Sequence, residues 1–178
     1  MLELSILGFL YEEPLHGYDL KTRIQGLSGH IRPVSDGALY PAITRLVKAG
    51  LVEQRTEPGK SAAPRRILSL TEAGRGELLA RLREPKDAEI TDGQRFFTLL
   101  AFLRHLPDRS EQSAVLRRRQ AFLNTPASFF YRDDKPLSAE EAPDLFRRGM
   151  LRIARATGTE EKKWLSEAIS TLEGNGGS

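Results

Sequence analysis

The stretch Asp36-Gly-Ala-Leu-Tyr-Pro-Ala-Ile-Thr-Arg-Leu-Val-Lys-Ala-Gly50 decides the fold of this 178-residue chain. Its apolar residues recur at spacings of four, three and one, which places them on one side of an α-helix. Ser35 or Asp36 can cap the helix by accepting N–H groups of its first turn, and Gly50 is a helix-ending residue. The sequence therefore predicts an amphipathic helix from Asp36 to Ala49. Its apolar face consists of Leu39, Ile43, Leu46 and Val47, and its polar face of Tyr40, Thr44, Arg45 and Lys48.

Two further helices are predicted before this one. Residues 2–10 are too rich in apolar side chains for a half-exposed strand and predict a largely buried helix that ends near Pro14. The segment from Glu12 to Gly17 contains proline and glycine and is predicted to be a connector. The next helix ends at Ser28-Gly29, and its face toward the first helix consists of Tyr18, Leu20, Ile24 and Leu27.

A β-hairpin is predicted after the amphipathic helix. Residues 51–56 and 66–71 are short and β-prone, and the turn-rich segment Pro58–Ser61 connects them. Thr71 is expected to cap a fourth helix that leads to Pro85, where the first domain is expected to end. Three helices followed by a hairpin is the order of a winged helix-turn-helix. In that fold the third helix enters the major groove and the hairpin wing reaches the neighbouring backbone.

The distribution of charge favours a nucleic-acid partner for the first half of the chain. The net charge of the chain is only +3. Residues 3–19 contain four acids and no lysine or arginine, whereas residues 20–66 contain nine bases and three acids, a local charge of 9 − 3 = +6. Basic charge concentrated in one stretch can meet phosphates and release their counterions.

Several classes of protein are disfavoured by what the sequence lacks. There is no cysteine, and the three histidines, His16, His30 and His105, are far apart and in no metal-binding spacing, so neither a structural metal nor a cofactor is expected. No P-loop, dinucleotide-binding glycine motif or nucleophile elbow is present, so we expect no enzyme. Without an apolar run of about 20 residues or a basic N-terminal signal, a cytoplasmic protein is predicted.

Three ordered blocks of the first half resemble the PadR family of bacterial transcriptional repressors. They are Leu15-His-Gly-Tyr-Asp-Leu20, Gly37-Ala-Leu-Tyr-Pro-Ala-Ile-Thr-Arg-Leu46 with Gly50-Leu-Val-Glu53, and Leu70-Thr-Glu-Ala-Gly74. The resemblance covers most of residues 1–80, whereas the second half is similar only in being helical and of suitable length. One departure is Ile67-Leu68, where many members carry aromatic residues, and it concerns the packing of the wing.

The resemblance implies that the helix from Asp36 to Ala49 is a recognition helix. Tyr40, Thr44 and Arg45 would then contact the groove or phosphates, and Tyr18 would stand near the backbone. A tyrosine hydroxyl donates to phosphate oxygens, and arginine offers a planar fork to phosphate or guanine. The complete set of predicted DNA-binding residues is Tyr18, Ser35, Gly37, Tyr40, Thr44, Arg45, Lys48, Lys60, Arg65 and Arg66.

These residues also have plainer interpretations. Tyr40 can pack and shape the first turn of its helix, and Tyr18 fits core packing as well as DNA contact. Arg45 and Lys48 can be ordinary solvated charges on a helix, and the basic residues of the wing can keep a hairpin soluble. The family motif favours the DNA-binding interpretation for the helix charges.

Residues 86–173 are predicted to form an α-helical dimerisation domain, so the chain is expected to be mainly α. Residues 96–106 predict a strongly apolar helix, either interior or at a subunit contact. Asp108 or Ser110 can start a further helix through Leu123, on which Arg117-Arg118-Arg119 is expected to be solvated. Pro126 is expected to break or kink this helix, and the polar loop 132–135 follows.

The last helix is predicted from about Glu141 to Leu172 and is followed by a disordered tail over residues 174–178. Its apolar residues form one stripe that two copies can bury about a two-fold axis, although burial within the same chain is the alternative. The resemblance implies dimerisation through this domain as well. The predicted dimerisation residues are Phe96, Leu100, Phe146, Met150, Ile153, Trp164, Ala168 and Leu172.

An aromatic set predicts either core packing or a pocket for a small aromatic effector, since some regulators of the family resembled respond to phenolic or drug-like molecules. Core packing is the commoner role of aromatic residues at helical spacing and is favoured for this set. The residues chosen for the pocket are Phe97, Phe129, Tyr131 and Trp164.

The sequence thus predicts a homodimeric repressor that binds double-stranded DNA at a pseudo-palindromic operator. Release by a small aromatic effector is left open, as is the role of the aromatic set. The rival hypothesis is a winged-helix protein-interaction module without sequence-specific DNA binding. Only a DNA-binding protein should lose affinity steeply with added salt, so salt dependence distinguishes the two.

Overall fold

The computed structural model describes residues 1–27, 33–57, 65–125, 130–132 and 134–174. The chain divides into two compact units, Met1–Pro107 and Asp108–Ser178. Both units are mainly helical, and the first has the element order of a winged helix-turn-helix. The predicted fold class is therefore confirmed.

The first unit combines helices with one three-stranded antiparallel sheet. A 3-10 turn, Leu103–His105, follows its last helix. In chain order its elements are α1 (Leu2–Glu12), β1 (Leu15–His16), α2 (Gly17–Leu27), α3 (Asp36–Lys48), β2 (Val52–Glu57), β3 (Arg65–Leu70), α4 (Glu72–Arg83), α5 (Asp87–Thr91) and α6 (Gly93–Phe102).

The helix α1 packs against α2, α3, α4, α6 and β3. This position explains why its sequence is apolar with little amphipathic pattern, since Leu4, Ile6, Leu7 and Leu10 are all buried. On α2 only part of the predicted apolar face is buried, namely Leu20 and Ile24. Tyr18 points into solvent, so its core-packing interpretation is wrong within this unit.

The sheet has the strand order β1-β3-β2. The hairpin β2–β3 is the predicted wing, with Val52 opposite Leu70 and Gln54 opposite Leu68. The strand β1 was not predicted, because the segment from Glu12 to Gly17 has the composition of a connector. It pairs antiparallel with β3, with Leu15 opposite Leu68, so its formation depends on a partner far along the chain.

The wing is joined to the helices by three close contacts. Gly50 ends α3 with a φ of 71°, a conformation that favours glycine. The Thr71 hydroxyl accepts a hydrogen bond from the Gly74 backbone N–H at 3.0 Å, which confirms the predicted cap of α4, and it donates to the Gly50 carbonyl at 2.7 Å. Gly74 passes so close to the Leu51 carbonyl that a Cβ would overlap it.

The boundary predicted at Pro85 falls inside the first unit, which continues to Pro107. The reason is the packing of α6 on α1. The Phe102 ring lies over Gly8, where a Cβ would overlap the ring, and it meets the Phe9 ring edge-on at 5.1 Å between centroids. Residues 86–107 therefore complete the core of the first unit.

The second unit is built on two long helices, α7 (Arg109–Asn124) and α8 (Leu145–Gly174), with a short hairpin of β4 (Tyr131–Arg132) and β5 (Lys135–Pro136) between them. The hairpin was not predicted, since the sequence after Pro85 has little strand character. Asp108 caps α7 by accepting from the Ser110 N–H, as expected. The last helix begins later than predicted because the Asp144 carboxylate accepts the N–H groups of Phe146 and Arg147 at its start.

The expectation that the basic triplet of α7 is solvated is wrong for Arg119. Its guanidinium is buried and forms two hydrogen bonds to the Glu161 carboxylate on α8, of 2.7 Å and 3.1 Å. Arg117 pairs with Glu173 on the same helix at 2.6 Å. These pairs and the buried Leu165 and Ile169 fix α8 against α7. No helix in the described part of the chain, α8 included, is long and apolar enough to cross a membrane.

Candidate nucleic-acid interface

The helix α3 divides into a buried and an exposed face, as predicted. Leu39, Ile43 and Leu46 are buried in the first unit, where α3 packs on α1 and β2. The opposite face is exposed and carries Tyr40, half exposed at 50%, together with Thr44, Lys48 and Gly37. The Thr44 hydroxyl donates to the Tyr40 carbonyl at 2.9 Å. This face presents an aromatic hydroxyl, a second hydroxyl and a cation side by side.

The start of α3 differs in detail from the expectation. Ser35 is the N-cap residue, but its side chain makes no capping hydrogen bond. The Asp36 carboxylate is instead paired with the Lys21 ammonium of α2 at 2.8 Å. The hydrogen bond to Asp36 raises the pKa of Lys21, so this lysine stays charged and offsets an acid at the exposed end of the helix.

A surface cavity of about 580 Å³ opens between the start of α2, α3 and the wing. Tyr18, which is 77% exposed, and Tyr40 line it, and the buried residues Ile43 and Leu68 form its floor. Both tyrosines therefore line one concave surface. The remaining lining residues are His16, Gly17, Asp19, Gln54 and Arg66.

His16 connects the surface of this cavity to the wing through a hydrogen bond. Its Nδ1 lies 3.1 Å from the Arg66 carbonyl, which only accepts, so Nδ1 carries the proton and donates. The Arg66 side chain is exposed. The hydrogen bond holds β1 against β3 and keeps Arg66 beside the two tyrosines.

Arg45 is held away from the other polar residues of α3. Its Nε and Nη2 both donate to one carboxylate oxygen of Glu3 on α1, at 3.1 Å and 3.0 Å. The second oxygen of Glu3 lies 3.6 Å from Arg81 of α4. The sequence predicted Arg45 as a DNA contact and gave no sign of this pairing, since Glu3 lies 42 residues earlier.

The wing contributes less to the described surface than was predicted. Lys60 lies outside the described residues, and of Arg65 only the backbone is described, at the start of β3 opposite Glu57. Sequence reasoning missed Gln54 and Arg55 on β2, although the five consecutive polar residues 53–57 could have indicated that both faces of this strand are exposed. Arg55 is paired with Glu53 at 3.1 Å.

The predicted dimerisation residues fall into two groups. On α6, Phe96 is buried in the core of the first unit and Leu100 is partly buried, so Phe96 is not free to contact a second copy. On α8 the apolar side chains at the start of the helix are exposed, with Phe146 at 84%. Met150, Ile153 and Trp164 are also exposed, and Ala168 and Leu172 are partly buried.

The residues predicted to line an effector pocket are not core residues of the units described. Phe97 of α6 is exposed on the first unit, and Tyr131 and Trp164 are exposed on the second. The preference for core packing is therefore wrong for these three, because helical spacing alone does not say whether a neighbouring element covers a face. Phe129 lies outside the described residues.

Among the described residues, we find no cluster of side chains that would form a metal or cofactor site. No group of three or more histidine, aspartate or glutamate side chains there is placed to hold a metal ion. The exposed surface of α2, α3 and the wing offers hydroxyls, cations and aromatic rings, which are groups that bind phosphates and bases.

Comparisons with known proteins match the same region. Residues 6–80 match the model of the transcriptional regulator PadR-like family. An uncharacterised 37.1 kDa protein in transposon TN4556 of Streptomyces fradiae is 39% identical over 79 residues, which cover 44% of this chain and only 21% of that protein. The negative transcriptional regulator PadR of Bacillus subtilis (strain 168) is 27% identical over 130 residues, 70% of either chain.

Solved structures of the Bacillus subtilis PadR match most of the chain. The structure in complex with operator DNA is 23% identical and covers 97% of this chain and 99% of that one, with a TM-score of 0.44. The structure in complex with p-coumaric acid is 21% identical and covers 97% and 95%, with a TM-score of 0.42.

Proposed function

We propose that this chain, whose residues 6–80 match the PadR-like family of transcriptional regulators, regulates transcription by binding duplex DNA through α3 and the wing. The observation that carries the proposal is the exposed face of α3. An aromatic hydroxyl, a threonine and a lysine stand on it with no covering element in the described unit. In a winged helix-turn-helix this is the face that enters the major groove.

The cavity beside α3 supports contacts to the DNA backbone. Tyr18 and Tyr40 expose their hydroxyls there, and Arg66 brings a cation from the wing. Hydroxyl and guanidinium groups are the usual partners of phosphate oxygens, which fix the register of a protein on the duplex. We assign Tyr18, Arg66 and Lys48 to phosphates, and Tyr40 and Thr44 to the groove or its edge. Ser35 and Gly37 stand at the start of α3, where backbone N–H groups favour a phosphate.

A homodimer is the second part of the proposal. Phe146, Met150 and Ile153 leave an apolar surface at the start of α8, whereas the end of the same helix buries Leu165 and Ile169 against α7. A second copy related by a two-fold axis would cover that surface with the same surface. Such a dimer would bind a pseudo-palindromic operator and repress by occluding a promoter.

A small aromatic effector is the third part. Tyr131 and Trp164 are exposed rings of the second unit that an aromatic molecule can stack on, and a dimer would bring two copies of each. Binding of the effector would release the operator if the DNA-bound and effector-bound dimers differ in geometry.

The decisive experiment is a titration of the purified protein, at two salt concentrations, against fluorescently labelled DNA from upstream of its own reading frame. We expect affinity to fall steeply with salt, and Lys48→Gln to reduce the slope of log K against log[salt] by about 0.9, the value of one phosphate contact. Tyr40→Phe, which keeps the ring and removes the hydroxyl, should weaken binding by about three- to tenfold.

Arg118→Gln is the matched control for Lys48→Gln, because it removes one positive charge from the exposed part of the basic triplet on α7. If Arg118→Gln lowers the salt slope and Lys48→Gln does not, the DNA-binding surface lies on α7. If the folded protein binds every fragment of a genome-wide selection equally weakly, the protein-interaction module replaces the proposal. Phe146→Asp tests the proposed dimer contact at the start of α8. If the mass of the particle in solution remains that of two chains, α8 does not form the dimer contact.

A further inference from the structure

We infer that Glu3 is a positioning residue for the recognition helix, acting through Arg45, and that Arg45 orients α3 rather than contacting DNA. The inference rests on the proposed function of α3 and changes the role of one predicted contact. It starts from the hydrogen bonds of Arg45, both of which go to the same Glu3 oxygen.

The angular position of Arg45 separates it from the DNA-facing residues. Successive residues of an α-helix are rotated by about 100°, so Tyr40, Thr44 and Lys48 fall within an arc of about 80°. Arg45 lies about 140° from Tyr40 and about 60° from Lys48. It stands on the edge of α3 from which its side chain reaches Glu3 of α1. The Arg45 side chain is 63% exposed, so burial does not force the pairing with Glu3. The side chain extends toward α1 and away from the tyrosines.

The Glu3 carboxylate links three helices. It accepts from Arg45 of α3 with one oxygen and faces Arg81 of α4 with the other, at 3.6 Å. Arg81 is itself held by Glu77 one turn earlier on α4, through an Nε–Oε1 contact of 2.6 Å. A carboxylate with a cation on each side has little freedom to rotate, so it offers Arg45 a fixed acceptor.

The helix α1, which carries Glu3, is anchored in the core of the first unit. Four apolar residues of α1 are buried, beginning with Leu4 next to Glu3, and α1 contacts four other helices. The apolar face of α3 resists translation of the helix, but apolar contacts are non-directional. The hydrogen bonds of Arg45 to Glu3 are directional, and they add a restraint on the rotation of α3 about its axis to the one that its packed apolar face provides. That rotation decides where Tyr40 and Thr44 point in the groove.

The test measures DNA affinity at 10 °C, with each variant shown by circular dichroism to be fully folded. Glu3→Gln and Arg45→Gln should each weaken binding by about three- to tenfold, and the double variant should be no weaker than either single one. The salt slope should stay unchanged, because no phosphate contact is lost. Arg45→Lys should not restore affinity, since an ammonium keeps the charge but lacks the fork.

Two other outcomes overturn the inference. If Arg45 contacts phosphate, Arg45→Gln lowers the salt slope by about 0.9 and Glu3→Gln strengthens binding by releasing the arginine. If the Glu3–Arg45 pair only adds stability, the folded variants bind DNA as tightly as the unaltered protein. Matched controls are Glu173→Gln and Arg117→Gln, which break an exposed arginine–glutamate pair of the second unit with the same changes of charge.

Failure of the proposed function is recognised separately, because the unaltered protein would then bind no DNA. Hydrogen exchange of the α3 amides then reports whether the Glu3–Arg45 pair restrains α3. Glu3→Gln and Arg45→Gln should accelerate exchange in α3 to the same extent and leave α7 unchanged. Equal protection of α3 in all variants would contradict the inference.

Discussion

Replacing Arg119 by methionine should destabilise the second unit by about 3–5 kcal/mol, the usual cost of removing one partner of a buried ion pair. The side chains of Arg119 and Glu161 are only 5% and 14% exposed. Two hydrogen bonds join them, so the variant leaves a carboxylate at a poorly solvated site without its cation. Methionine keeps most of the aliphatic volume, so the loss reflects charge and hydrogen bonding rather than a cavity.

Urea denaturation followed by tryptophan fluorescence measures this loss directly, because the chain has a single tryptophan, Trp164, and it lies on α8. Arg117→Met is the control, since it breaks an exposed pair on the same two helices and should cost much less stability than Arg119→Met. The double variant Arg119→Met/Glu161→Leu should recover most of the stability. Equal costs for Arg119→Met and Arg117→Met would refute the reasoning.

Three further predictions concern the first unit. Gly74→Ala should lower the free energy of unfolding by more than about 2 kcal/mol in urea titrations, since its Cβ would overlap the Leu51 carbonyl. Thr71→Ala should cost about 1–2 kcal/mol in the same assay, because it removes the cap of α4 and the bond to Gly50, while Thr71→Ser should retain most of both. Burial lowers the pKa of His105 below its usual value of 6.5, because it disfavours the charged imidazolium. The neutral imidazole therefore stabilises the folded state fully above pH 6.5. This stabilisation is lost as the pH falls through the lower pKa of the folded state. Melting temperatures from pH 8 to pH 5 should show this loss, and a variant His105→Gln with the same pH dependence would contradict it.

Local patterns explain why much of the first unit could be predicted from the sequence. The spacing of Leu39, Ile43 and Leu46 decides both the existence of α3 and the side that is buried. Thr71 before an apolar run marks the start of α4 for an equally local reason, because a cap satisfies N–H groups two or three residues later. Features encoded within one or two helical turns are visible without a structure.

Features that depend on distant partners could not be predicted. The strand β1 consists of two residues in a connector-like segment, and it forms because Leu15 pairs with Leu68. The first unit extends beyond Pro85 because the ring of Phe102 needs the space above Gly8. The sequence around Phe102 does not indicate a contact with Gly8, and the sequence around Gly8 does not indicate one with Phe102. From sequence alone, a proline near the end of a helix is therefore the better-supported domain boundary.

The prediction of a DNA-binding surface from sequence is limited most by the unknown carboxylate partners of its basic residues. A basic residue in the sequence indicates a positive charge, but it does not indicate which carboxylate neutralises that charge. Arg45 is engaged by Glu3, and Arg119 by Glu161, at a separation of 42 residues in both cases. A cation that already has a carboxylate partner gains less from a phosphate, because the first interaction must be broken. The hydroxyls of Tyr40 and Thr44 on the exposed face of α3 lose no ion pair when they bind a partner. Under the proposed function, we therefore expect specificity to come from these two neutral side chains rather than from Arg45.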